Sequence, residues 1–215
     1  HSYVAARYLQ EIQRRWDTPS PVEVSEVFRI AFLGDDVLFA CKIPIDAREL
    51  SKLYGELGFE YEMESRQSPY SISFLGGTFI PVVKPAGPGY ILAPDMRRWL
   101  PKVGWTTNVQ QRPMTWVKSV AMGWRHIAKV HPIVDAVCRT YNRCAGATKA
   151  RPFQYDRNKH VYATGFRAER SPHIHAALEE CYGITESELV ELDRLFGQVE
   201  TLPVLITSPT FDKLM

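Results

Sequence analysis

The chain has 215 residues, of which 45% are hydrophobic and 23% charged, an ordinary globular composition with enough length to bury a sizeable core. No apolar run reaches the ~20 residues that a membrane-spanning helix needs, and the 15 prolines and 13 glycines are scattered, which excludes collagenous and low-complexity classes. The net charge of +2 conceals an asymmetry: residues 1–90 are slightly acidic, 91–170 carry 15 Lys/Arg against 4 Asp/Glu for a net of +11, and 171–215 carry 2 against 8 for a net of −6.

Val4, Ala5, Tyr8, Leu9, Ile12 and Trp16 recur at helical spacing and stop at Thr18-Pro19-Ser20-Pro21. Val24 to Leu33 reads as a strand, with Phe28, Ile30 and Phe32 alternating against Arg29 and Ala31. The chain leaves it through Gly34-Asp35-Asp36 and returns through Val37, Leu38 and Phe39, so the pattern predicts a hairpin of two buried strands with two carboxylates at its tip. Asp46 and Glu49 have capping-box spacing ahead of a helix carrying Leu50, Leu53, Tyr54 and Leu57, which Gly58 ends. Ile72, Phe74, Thr78 and Ile80 bracket Gly76-Gly77, a two-residue hairpin signal. Lys84 to Gly89 reads as a Pro/Gly loop, with a short strand over Tyr90 to Ala93.

From Asp95 the texture turns helical. One amphipathic face runs from Met114 to Ala128, and a second from Ile133 to Tyr141 bounded by Pro132. Residues 146–170 read as irregular and basic. Ser171-Pro172 opens a helix ended by Gly183, and Thr185 with Glu188 caps a last one through Leu189, Leu192 and Phe196. The expected class is α+β: antiparallel hairpins over residues 1–90, then a helical portion over 91–215. The four cysteines, Cys41, Cys138, Cys144 and Cys181, form no zinc-like spacing and read as reduced thiols. His173 and His175 read as polar helix positions. No charged-then-apolar leader follows His1, so no secretory signal is expected, and the chain reads as a piece of something longer.

Adjacent carboxylates delivered to one point by two strands suit two-metal phosphoryl transfer, in which carboxylates hold divalent ions about 3.5–4 Å apart. A basic block of this density suits a polyanion partner. Trp99, Trp105, Trp116 and Trp124 could stack on bases, although helical spacing favours core positions.

The run from Phe28 to Phe39 around Gly34-Asp35-Asp36 resembles motif C of viral RNA-dependent RNA polymerases. The helix over 46–57 with Leu57-Gly58-Phe59 resembles motif D, and Ser73 to Phe79 resembles the motif E hairpin, the primer grip between palm and thumb. Asp95, Arg97, Arg98, Leu100, Lys102, Thr106-Thr107 and Pro113 resemble the early thumb of nodavirus-like enzymes of positive-strand RNA viruses. The opening helix is similar to the one that trails motif B. The resemblance covers residues 1 to about 145 and leaves the acidic portion out.

The resemblance implies the C-terminal part of a palm (residues 1–90) followed by a helical thumb (91–215), in an enzyme of RNA-directed RNA synthesis. It implies Asp35 and Asp36 as catalytic ligands of two Mg2+ or Mn2+ ions, Gly34 in the motif C turn, and Phe74, Leu75, Gly76 and Gly77 in the primer grip. Lys84, Arg97, Arg98, Lys102 and Arg112 are the implied RNA contacts. Template and product RNA, nucleoside triphosphates and upstream replicase segments of the same polyprotein are the implied partners. The implied location is the host cytoplasm, at membrane-associated replication complexes reached through other regions. Motif A and most of motif B would lie upstream of His1, so this segment alone is expected to be inactive. The lysine usual near the end of motif D is replaced by Glu60, Tyr61 and Glu62, with Arg66 the nearest base, so no general acid is assigned. Two other readings stay open: a non-catalytic RNA-binding domain whose Gly-Asp-Asp is a plain turn, and a reverse transcriptase.

Overall fold

The computed structural model describes residues 1–16, 23–60, 62–105, 112–151, 167–203, 206 and 208–214. The Thr18 to Pro21 stop, Tyr61, Thr106-Thr107 and most of the basic stretch 146–170 lie outside the described residues, as does the side chain of Trp16. The chain is a mixed α+β protein with small antiparallel sheets and helices mostly after them. It divides into two compact units, His1–Gln67 and Ser68–Met215.

In the first unit, α1 (Ser2–Trp16) buries Val4, Ala5, Tyr8, Leu9 and Ile12, the i, i+4 pairs of one helix face. Against it lies α3 (Ala47–Glu56), which buries Leu50, Leu53 and Tyr54 and is capped by Asp46, whose carboxylate accepts the N–H of Arg48 at 2.8 Å. Between them run a single helical turn, α2 (Val24–Val27), and the antiparallel pair β1 (Phe28–Leu33) and β2 (Asp36–Cys41).

The strand expected from Val24 thus begins only at Phe28. Val24 and Val27 both pack on the core, and the i, i+3 spacing of a helical turn puts them on one side where a strand would part them. The hairpin is also less buried than its composition suggests. Phe28 is in the core and Ile30 packs at its edge, but Phe32 and Leu33, next to the turn, are 63% and 64% exposed.

In the second unit, β3 (Ser73–Phe74), β4 (Gly77–Lys84) and β5 (Gly87–Pro94) form an antiparallel sheet. A short strand, β6 (Glu169–Arg170), joins Val82 and Val83 of β4. Since β5 runs along all of β4, β3 and β6 share the other edge, at opposite ends. Phe74 pairs with Gly77, so the central turn residues are Leu75 and Gly76, not Gly76 and Gly77, and both have positive φ (53° and 72°). Gly77 is instead a strand residue pressed against β5: a Cβ there would lie 2.6 Å from the Ala93 carbonyl oxygen. The expected loop from Lys84 to Gly89 shrinks to Pro85-Ala86, since Lys84 already pairs with Gly87.

Behind the sheet come α4 (Met96–Val103), α5 (Pro113–Ala128), α6 (Pro132–Ala145), α7 (Ile174–Tyr182), α8 (Glu186–Gln198) and the short α9 (Pro209–Asp212). One continuous core joins Ile80 and Val82 of the sheet to Val120, Val134, Leu178 and Leu192. The acidic portion is therefore packed into this unit. α8 carries the complete capping box between Thr185 and Glu188, and Gly183 ends α7 with φ +66°.

Candidate functional site

The carboxylates of the Gly-Asp-Asp run sit at the end of the β1–β2 hairpin. Leu33 pairs with Asp36, so the connection is two residues long, Gly34-Asp35, and Asp36 is the first residue of β2. Gly34 has φ +64°, whereas Asp35 keeps a negative φ. Positive φ at the first central position alone is the type II′ pattern, whose twist matches that of the flanking strands. Asp35 and Asp36 are both exposed, and among the described residues neither carboxylate is ion-paired.

The base of this hairpin is firmly held. Phe28 packs edge-on against Tyr8 and Phe39, each at 6.5 Å between ring centroids. The arrangement presents two hard oxygen donors on a braced ribbon, the donor type that Mg2+ and Mn2+ favour. Two carboxylates are fewer than two such ions require, and no group of three or more metal-ligating side chains occurs among the described residues. They fit as one part of a ligand set.

The other candidate residues lie in the second unit. Phe74 is half-buried, Leu75 is exposed at the turn tip, and Gly76 accepts the N–H of Asp95 at 3.1 Å through its carbonyl. That bond ties the turn to the start of α4. Asp95 caps the helix by accepting the N–H of Arg97 at 3.0 Å.

The two arginines that follow point to different surroundings. The Arg97 guanidinium donates to the carbonyl of Cys181 and lies over the Tyr182 ring, 5.2 Å from its centroid. Arg98 reaches the β3–β4 turn, since a Cβ on Gly76 would stand 3.4 Å from its Nη1. Lys102 is exposed on the same helix, Lys84 lies across Gly89, and Arg112 is the exposed residue just before α5. Among the described residues Lys84, Arg98, Lys102 and Arg112 have no ion-pair partner.

Three further arginines of the basic block are engaged internally. Arg139 pairs with Asp135 and Asp193, Arg170 pairs with Asp135, and Arg143 donates to the carbonyls of Phe196 and Val199. Of the tryptophans, Trp99 is buried and meets Trp124 edge-on at 5.4 Å, Trp116 packs on the core, and Trp105 stands 80% exposed.

Two residues of consequence carry no sequence signal. Tyr182 occupies an ordinary apolar-face position, yet its hydroxyl joins three elements. His131 precedes Pro132 at the start of α6; it is fully buried, and neither ring nitrogen has a partner among the described residues. No family model matches the chain, and no curated protein matches it.

Proposed function

We propose that this chain is the C-terminal palm and thumb portion of an RNA-directed RNA polymerase of a positive-strand RNA virus, similar to those of nodaviruses. The supporting observation is the pair of adjacent carboxylates, without an ion-pair partner among the described residues, held at a two-residue turn of a braced antiparallel hairpin. Later in the chain come a second hairpin tied to α4 and cations that have no ion-pair partner among the described residues, in the sequence order that motifs C, D, E and thumb require.

Asp35 and Asp36 would hold divalent ions, Mg2+ or Mn2+, together with an aspartate from the upstream motif A. When bound, two such ions activate the attacking hydroxyl and neutralise the leaving oxygen. The chain's own contribution is placement. Gly34 permits the turn that brings both carboxylates to one end, and the Tyr8–Phe28–Phe39 packing fixes the ribbon. The Leu75-Gly76 turn would steady the primer end. Lys84, Arg98, Lys102 and Arg112 would neutralise phosphates of the template–product duplex, contacts that carry no sequence information.

Nucleoside triphosphates and the upstream replicase segments complete the proposed set of partners. Among the described residues no helix is long and apolar enough to cross a membrane. A place at membrane-associated complexes in the host cytoplasm would depend on other regions of the polyprotein.

The test is primer extension on an RNA template by this chain joined to its upstream sequence. Asp35→Ala is expected to abolish incorporation while leaving the urea unfolding midpoint unchanged. Wild-type extension by that variant would overturn the proposal in favour of a non-catalytic RNA-binding domain with a plain turn.

A further inference from the structure

Tyr182 ends α7 in the acidic portion of the chain and is 6% exposed. Its hydroxyl accepts the backbone N–H of Met96 at 3.1 Å and shares a hydrogen bond of 3.1 Å with Thr78 Oγ1. One oxygen thereby joins β4, the first turn of α4 and the end of α7. On the face of the same ring lies the Arg97 guanidinium, which also donates to the carbonyl of Cys181. Arg97 stays exposed, yet one of its guanidinium nitrogens is engaged by a carbonyl and its plane lies against an aromatic face.

Arg98 is equally exposed but differs in its partners. It has no ion-pair partner among the described residues and rests against the Leu75-Gly76 turn. A guanidinium free to donate two parallel hydrogen bonds is well suited to a phosphate. A long side chain loses rotamer freedom on binding, so a backbone that already aims it strengthens the contact.

We infer that Tyr182 and Arg97 form a latch that fixes the start of α4 and so aims Arg98 at an RNA phosphate beside the β3–β4 turn. Arg98 makes the contact, and Tyr182 and Arg97 are positioning residues. The acidic portion then serves RNA binding by buttressing α4, with no phosphate contact of its own. The inference rests on the RNA-binding reading above.

Filter binding of the chain to a short RNA duplex of arbitrary sequence, from 50 to 200 mM KCl, tests it. Arg98→Ala should lower the log–log salt slope by about one, the share of a single phosphate. Tyr182→Phe keeps the ring but removes the hydroxyl, and should weaken binding about threefold to tenfold with the slope unchanged. In the Arg98→Ala background the Tyr182→Phe effect should vanish. Arg97→Lys keeps the charge and loses the fork, and should weaken binding at unchanged slope. If Tyr182→Phe does not fold, Thr78→Val removes the other side-chain partner of the latch and is read in the same way.

An equal loss from Tyr182→Phe with or without Arg98 would overturn the latch, as would wild-type affinity in Arg97→Lys. A slope change in Arg97→Ala as large as that in Arg98→Ala would overturn it too, by making Arg97 a phosphate contact. Wild-type binding that is absent or independent of salt would overturn the RNA-binding reading, and the latch with it.

Discussion

The hydroxyl of Tyr8 accepts the backbone N–H of Asp46 at 2.7 Å, joining the helix before the carboxylate hairpin to the cap of the helix after it. Both ends of the ribbon are thereby anchored to one small core. Tyr8→Phe keeps the ring packing against Phe28 and leaves a backbone donor without its partner. The expected loss is about 1–3 kcal/mol, read from urea unfolding. An unchanged midpoint would mean that water replaces the hydroxyl without cost.

Gly34 tests the turn itself. Nothing lies within 4 Å of a Cβ placed there, so a methyl group fits, but φ of +64° is unfavourable for an L side chain. Gly34→Ala is expected to cost about 1–2 kcal/mol through backbone strain alone. If the proposed function holds, it should reduce incorporation by the chain joined to its upstream sequence without removing either carboxylate. Stability equal to the wild type would show that the hairpin adopts another turn.

These two cases show what could be read in advance. α1, α3 and α8 are legible because amphipathic spacing and caps such as Asp46 and Thr185 are local and face no competing signal. The turn of α2 is not, because Val24, Ser25, Glu26 and Val27 suit either period until the core chooses one. The β3–β4 turn slips by one residue because two consecutive glycines invite the wrong pair. The close approach of Ala93 to Gly77, which decides it, comes from another strand. The carboxylate pair and the cations are legible as residue types, whereas the division between Arg97 and Arg98 depends on a helix that follows much later in the chain.

The basic surface makes a prediction for the chain as a whole. RNA binding should be indifferent to sequence and fall steeply with salt. A footprint of about 4–6 phosphates implies a loss on the order of a hundredfold to a thousandfold between 50 and 200 mM salt. Replacing Arg98 and Lys102 together by Ala should reduce both affinity and slope. Replacing Arg139, which is already paired with two aspartates, should leave the slope alone. Filter binding across the salt series decides between them.

His131 predicts an acid response. Burial, with a lesser contribution from the nearby Arg170 charge, pushes its pKa down to about 3, so the folded protein holds a neutral ring. The unfolded chain takes up a proton below about pH 6.5, and stability is lost as the pH falls through that value. The loss from this group is about 2 kcal/mol at pH 5. His131→Leu should remove that part of the pH dependence between pH 7 and 5. An unaltered slope in thermal or urea unfolding would show that the ring already finds a partner for its charge.

Arg143 closes the end of α8. It donates to the carbonyls of Phe196 at 2.7 Å and Val199 at 2.9 Å, where the helix leaves its last oxygens without internal donors. Arg143→Ala should lower stability by about 1–2 kcal/mol. Lysine should restore only part of it, because an ammonium lacks the planar fork. Full recovery with lysine would show that charge alone matters.

The Tyr182 hydroxyl has a further consequence during synthesis of the chain. The β4–β5 hairpin and α4 are built from contacts close in sequence, and such contacts form quickly. Yet the Met96 amide and the Thr78 hydroxyl meet their shared partner 86 and 104 residues later. On a ribosome, the hairpin emerges long before α7 exists, and it waits with these polar groups still hydrated. Closure of the second unit is therefore timed by its last helices. A nascent chain halted short of residue 182 lacks the partner of the Met96 amide and the Thr78 hydroxyl, however complete the sheet itself may be.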